Sequence, residues 1–255
     1  MTASGTGPSA PDPGVSLMYG ALARWWPLIS PAEVYEDDAR STAELFALAE
    51  RPVRDVLELG SGGGHLAHHL RERWTMTLVD LAPEMLAVSR ALNPDVEHLL
   101  GDMRELRLGR TFDAVLVHDA IDYMTTLDDL AAAFRTAYAH CRPGGVAAFF
   151  PDHVADTFEP GTDCGGSDAP DGSGARYLEW SHPPGPGETT VTTEYTFTLR
   201  AADGTVELAH EAHRTGLFAV ADWQRLLGDA GFEVVTVREE GGADRTLFAG
   251  RRPRA

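Results

Sequence analysis

Glu58, Asp80 and Asp102 each stand at or beside the end of a short apolar run, and the first run leads into a glycine-rich turn, Gly60-Ser61-Gly62-Gly63-Gly64. Glycines let a ligand come close to the backbone and present amide donors at the start of the next helix. Glycine spacing alone leaves the ligand open. GxGxxG counted from Gly60 ends on His65, while the looser GxGxxA counted from Gly62 ends on Ala67. Glu58 separates the readings, because a carboxylate beside a diphosphate is repelled and one beside a cationic amino group is favoured. Asp80, about 20 residues beyond the first glycine, is placed to accept hydrogen bonds from both hydroxyls of a ribose. Asp102 can accept from an exocyclic adenine amine, and Leu81, Met85 and Met103 offer apolar faces to the base. Together these side chains describe a nucleoside with a positively charged amino-acid tail.

Such a constellation needs strands that end together. After Pro52, short apolar runs at 53–59, 75–79, 96–100, 112–117 and 146–150 alternate with amphipathic stretches opening at Gly64, Pro83 and Leu127. That rhythm predicts a parallel sheet with crossover helices. Before it, residues 15–52 show helical periodicity, with Ser41 expected to cap a helix over 42–50. Residues 151–188 are dense in Gly, Pro, Asp and Ser and read as a long loop interrupted only by Tyr177-Leu178-Glu179-Trp180. Next, 190–200 and 205–215 alternate in polarity around Ala202-Asp203-Gly204, the pattern of a hairpin. A helix over 221–230 and strands at 232–238 and 245–249, joined through Glu240-Gly241-Gly242, close the chain.

The domains expected are a disordered leader (1–14), a helical cap (15–52), the cofactor-binding α/β core (53–151), a loop and antiparallel insert serving as substrate platform (152–216), and the C-terminal part of the core (217–255). With 39 acidic against 21 basic residues the net charge is −18, which leaves no evident source for phosphate neutralisation and argues against nucleic acid. Every basic residue is arginine, so a Schiff-base lysine and a P-loop lysine are both excluded. Two cysteines, Cys141 and Cys164, are too few for a disulfide framework and fit a reducing cytoplasm. No apolar run approaches the roughly 20 residues of a bilayer span.

Glu58-Leu59-Gly60-Ser61-Gly62-Gly63-Gly64 resembles motif I of the class I S-adenosylmethionine-dependent methyltransferases. The likeness continues through Leu78-Val79-Asp80, Gly101-Asp102-Met103, Phe112-Asp113-Ala114-Val115, Arg142-Pro143-Gly144-Gly145 and the closing antiparallel hairpin. The aromatic cap and antiparallel insert are similar to small-molecule methyltransferases of bacterial secondary metabolism, including the sugar N,N-dimethyltransferases. The resemblance implies a Rossmann-like α/β fold with a seven-stranded, mostly parallel sheet. It also implies S-adenosylmethionine held by Glu58, Gly60, Ser61, Gly62, Asp80, Leu81, Met85, Asp102, Met103 and His118, with a small-molecule methyl acceptor and a monomer or homodimer. An NAD-dependent oxidoreductase and a catalytically silent cofactor-binding protein are the competing readings.

Methyl transfer from a sulfonium requires alignment of acceptor, methyl carbon and sulfur, and removal of water. In open α/β sheets the ligand lies beyond the carboxyl ends of the strands. That places His118, Asp119 and Tyr123 after the fourth strand, and His153 after the fifth, as candidates for proton transfer. An amine nitrogen is the first-choice acceptor, before oxygen or an electron-rich aromatic carbon. Acceptor recognition is assigned to Tyr19, Trp25, Trp26 and Tyr35 of the cap and to Trp180, Tyr195, Glu211 and His213 of the insert. Glu211 and His213 share one strand face. Asp119 and Asp152 resemble the positions from which catechol O-methyltransferases bind magnesium. His153 replaces the asparagine of that group, and no metal is expected. His65, His68 and His69 are expected on a solvated helix surface.

Overall fold

The computed structural model describes residues 16–238 and 245–254. The expected leader at 1–14 and the Glu240-Gly241-Gly242 connection lie outside the described residues. The cap comprises two short 3₁₀ turns and the helices α1 (Trp26–Ile29) and α2 (Glu36–Phe46). Helix α2 starts earlier than expected: acidic Glu36, Asp37 and Asp38 occupy its first turn, where the helix dipole favours them, and Ser41 sits inside the helix instead of capping it.

The core follows in β-α alternation: β1 (Asp55–Leu59), α3 (His65–Leu70), β2 (Thr75–Asp80), α4 (Pro83–Leu92), β3 (Glu97–Leu100), β4 (Phe112–Val117), α5 (Leu127–His140) and β5 (Cys141–Phe149). Four strands β6 (Thr162–Gly165), β7 (Gly174–Ser181), β8 (Thr190–Arg200) and β9 (Val206–Gly216) form a separate antiparallel sheet. Then α6 (Val220–Asp229), β10 (Glu233–Arg238) and β11 (Thr246–Arg251) return to the core. The stretch expected to be a long loop therefore contains two strands. Backbone pairing of β7 with β8, from Gly174 opposite Arg200 to Ser181 opposite Thr193, overrides the local Gly and Pro signals.

The seven-stranded sheet runs β10-β11-β5-β4-β1-β2-β3, parallel except at β11. Every residue of β4 is buried, as a central strand covered on both faces requires. Alternation sends Leu57, Leu59, Val115 and Val117 to a core with Phe134, Phe149 and Trp223, and Val56, Leu78, Leu116 and Phe150 to a second core on the other face. Each fully buried ring contributes about 1.5–3 kcal/mol. At the amino ends, Arg142 bridges Asp55 and Asp113 at 2.9 Å, and Asp113 also accepts the Arg54 and Asp55 amides. Strand order reverses between β1 and β4, so the crevice lies beyond Leu59 and Val117.

Cap and insert close over that crevice from one side. Met18, Leu22, Trp25 and Ile29 pack on Ala175, Phe197 and Leu199 of the insert's inner face. No described helix is long and apolar enough to cross a membrane.

Candidate active site

The glycine turn takes its shape from backbone demands that other residues meet poorly. Gly60, Gly62 and Gly64 have φ of 74°, 51° and 71°. A Cβ on Gly60 would stand 2.3 Å from Ala120 Cβ and 2.8 Å from Met103 Cε, whereas one on Gly62 would meet only Met85 Cε, at 3.6 Å. Space therefore opens above Gly62. The loop is tied to β2: Gly60 and Ser61 donate to the Val79 carbonyl, and Gly62 N–H donates to Asp80 Oδ2 at 2.7 Å.

Beside the loop, Glu58 is buried, and its Oε2 and the Ser61 hydroxyl have no hydrogen-bond partner within the described protein. Burial pushes the Glu58 carboxyl up to about 8, His118 opposing and Asp80 adding to the rise. Such a carboxyl is completed by a cationic group.

His118 is buried between two carboxylates, Nε2 lying 3.1 Å from Asp38 Oδ2 and Nδ1 2.9 Å from Asp119 Oδ1. Burial disfavours its charge, but Asp119 and Asp38 overcome that cost and raise the imidazole to about 10. Asp38 also pairs with Arg245. A ring held as imidazolium has no lone pair for a substrate proton. His118 and Asp119, both expected as candidates for proton transfer, are thus each other's ion-pair partners.

Across the crevice, rings from cap and core form a continuous wall. Trp26 lies parallel to His65, with centroids 6.5 Å apart, and meets Tyr19 edge-on. Its indole covers Gly63, where a Cβ would stand 2.5 Å from Trp26 Cδ1. His65 is thus buried, contrary to expectation, and burial lowers its pKa to about 4. Tyr35 stands behind this wall, 5.9 Å from His118, with its hydroxyl on Ser30.

Toward the insert, Tyr19 Oη lies 2.7 Å from Tyr123 Oη, and Tyr123 Oη lies 2.6 Å from His213 Nδ1. His213 Nε2 is 3.0 Å from Glu211 Oε1. The Glu211 carboxylate also accepts the Leu17 and Met18 amides at 2.7 and 2.8 Å. Asp152 is open to solvent yet surrounded by protein, as at a cleft wall. Burial and Asp119 push it up to about 8, and Asp122, which accepts the Asp152 amide, is raised as well.

A methyltransferase domain family matches residues 56–145, the segment that carries the loop and the ends of β1, β2 and β4. A dTDP-3-amino-3,6-dideoxy-α-D-glucopyranose N,N-dimethyltransferase of Streptomyces fradiae is 30% identical over 236 residues, 91% of each chain. The chain belongs to the class I S-adenosylmethionine-dependent methyltransferases. Among solved structures, the sugar N-methyltransferase KedS8 of Streptoalloteichus is 26% identical over 99% of both chains, with a TM-score of 0.74. CalS10, an amino pentose methyltransferase of Micromonospora echinaspora solved with S-adenosylmethionine, is 25% identical over 85% of this chain and 91% of its own, with a TM-score of 0.72.

The methyltransferase's own residues fit that cofactor. The unpartnered Glu58 oxygen and Ser61 hydroxyl suit the ammonium and carboxylate of an amino-acid tail, and the opening above Gly62 admits the chain close to backbone. Asp80 keeps lone pairs beyond those given to Gly62 and Ala82. Leu81 is 65% exposed and available to a flat base. Met103 and Met85 flank the loop. At Asp102 the Arg104 guanidinium grips both oxygens and holds the carboxyl below the usual range, so it stands there as an ionised acceptor.

Several acceptor-side residues of this methyltransferase fall elsewhere than expected. Trp25 seals cap to insert and does not reach the crevice. Trp180 is 52% exposed on the insert's outer face, because the register pairs it with Glu194, whereas Tyr195, Phe197, Glu211 and His213 share the inner face. His153 turns onto the Phe158 ring, 5.1 Å away. Glu211 is spent on the cap backbone. Tyr19, Trp26, Tyr123, Tyr195 and His213 do come together. Asp38 was missed: nothing in a helical run of acidic residues marks the one that will meet His118.

Proposed function

We propose that this methyltransferase alkylates the amino nitrogen of a nucleotide-linked amino sugar. The acceptor side of the crevice carries the reading: it joins the neutral hydroxyls of Tyr19 and Tyr123 to the carboxylates of Asp119 and Glu211, with Asp152, raised to about 8, beside them, and its described arginine, Arg245, is neutralised by Asp38. Negative potential of this kind draws an ammonium-bearing acceptor and holds it as the ammonium, so a proton must leave before the nitrogen can attack. The similarity to enzymes named for dTDP-amino sugars and amino pentoses runs through cap and insert, the elements that bound this side.

Bound S-adenosylmethionine supplies an electrophilic methyl group on a sulfonium. Glu58 holds the tail ammonium, Asp80 the ribose, and Leu81, Met85 and Met103 the base. The rings of Tyr19, Trp26 and Tyr35 exclude water, so an amine pressed between wall and strand ends attacks without competing hydration. His118, fixed as a cation, moderates the charge on Glu58 and Asp152 and does not move a proton.

Incubation of the chain and S-adenosylmethionine with dTDP-3-amino-3,6-dideoxyglucose, and separately with phenols and indoles, tests the reading by mass spectrometry. One or two methyl additions on the amino sugar are expected. Methyl found only on a phenol oxygen or an indole carbon overturns it.

A further inference from the structure

We propose that Tyr123, His213 and Glu211 form a proton relay leading from the acceptor nitrogen into the insert sheet. This deepens the amine reading above and rests on it.

The protons in the chain can be placed from its end. An ionised carboxylate only accepts, so the Ser16 hydroxyl donates to Glu211 and is left to accept from the ring, which puts the ring proton on His213 Nε2, with Glu211 Oε1 3.0 Å away as its ion-pair partner. Ser16 Oγ lies 3.2 Å from Nε2 and 3.0 Å from Glu211 Oε2. Nδ1 is then a lone pair, and it points at Tyr123 Oη from 2.6 Å. Tyr123 must donate to it, which leaves the Tyr123 oxygen to accept from Tyr19 at 2.7 Å and from a further N–H at the crevice. Every bond in the chain runs toward Glu211.

The surroundings suit an imidazolium at the far end. His213 faces Glu211 on its own strand, Glu179 from β7, Tyr195 from β8, Tyr123 from the turn after β4, and Tyr19 from the cap. Two of these are carboxylates and none is a cation. The raised Tyr123 pKa, caused by burial and then by Tyr19, keeps the phenol neutral, so it hands on a proton rather than waiting as a phenolate.

As the nitrogen lone pair forms its bond to the methyl carbon, the carbon–sulfur pair stays on sulfur and the nitrogen gains a positive charge. Its proton passes to Tyr123 Oη, the Tyr123 proton passes to His213 Nδ1, and His213 later releases a proton to water. The nitrogen regains a lone pair for a second methyl group. Glu211 also holds the Leu17 and Met18 amides, so the carboxylate that sets the His213 tautomer pins the segment carrying Tyr19.

In this scheme Tyr123 is catalytic, and His213 and Glu211 position it and its proton. The test combines ¹⁵N imidazole NMR of the full chain with turnover of dTDP-3-amino-3,6-dideoxyglucose. The His213 spectrum is expected to show the Nε2–H tautomer and to change on Tyr123→Phe. Tyr123→Phe and His213→Gly should each lower kcat about 100-fold, the lower end of proton-transfer catalysis, with S-adenosylhomocysteine affinity changed less than about twofold. Added imidazole should restore His213→Gly and leave Tyr123→Phe unchanged. An Nδ1–H tautomer, or loss in His213→Gly that imidazole does not repair, overturns the relay while leaving amino-sugar turnover standing. Absence of amino-sugar turnover by the unaltered chain with the Nε2–H tautomer present overturns the substrate reading instead.

Discussion

Trp26 of the cap lies 4° from parallel to His65 of α3, with the two rings 6.5 Å apart, and the same indole covers Gly63. One aromatic side chain thereby joins the cap to the cofactor loop and strips water from a histidine beneath it. Trp26→Ala should uncover His65 and let its pKa rise from about 4 toward the ordinary 6.5. The lost packing should cost about 2 kcal/mol. Histidine NMR titration and thermal melting read the two effects, and an unmoved His65 pKa would show that the indole is not what buries it.

The glycines should separate stability from binding. Gly60→Ala places a Cβ 2.3 Å from Ala120 Cβ at φ 74°, so strain and overpacking together should cost about 2–4 kcal/mol. Gly62→Ala meets only Met85 Cε at 3.6 Å, and its backbone strain alone should cost about 1 kcal/mol. The second variant should nevertheless lose S-adenosylhomocysteine affinity by at least about tenfold, because its methyl fills the opening. Calorimetric titration beside a melting curve decides, and equal melting points for the two variants would contradict the packing argument.

Cofactor binding should expel a proton. The Glu58 carboxyl sits at about 8 because of burial and is protonated at neutral pH without ligand, whereas an ammonium partner requires the carboxylate. S-adenosylhomocysteine affinity should therefore rise with pH and level off above about 8, by up to about tenfold per unit below it. Titration in buffers of different ionisation enthalpy should show proton release in the parent chain and none in Glu58→Gln. A flat affinity profile between pH 6 and 8 is the result that would falsify this account.

His118 should stabilise the chain in a defined window. Its folded value, about 10, lies above the ordinary 6.5, so the contribution is complete below about pH 6.5 and disappears as pH rises through 10. His118→Gln removes one of the two cations beside Asp38 and Asp119, Arg245 remaining, and should cost about 1.5–3 kcal/mol at pH 6. The gap between parent and variant melting points should close toward pH 10; a gap independent of pH would mean that packing, not charge, accounts for the loss.

Local rules sufficed for the frame of this protein. The β-α rhythm, the acidic ends of β1 and β2 and the glycine turn were readable in the sequence because periodicity, positive φ and strand-end position are properties of neighbouring residues. Tertiary structure alone decided what the acceptor side does. Asp38, on a helix far away in the chain, joins the neighbouring Asp119 in flanking His118 and raising its pKa. The pairing of β7 with β8 decides that Trp180 faces outward, and the register of β9 delivers His213 to Tyr123 and Glu211 to the cap backbone. Cross-strand register and burial depend on pairings between distant segments, and the charge state of a buried group depends on both, so neither is written in the spacing of the residues themselves.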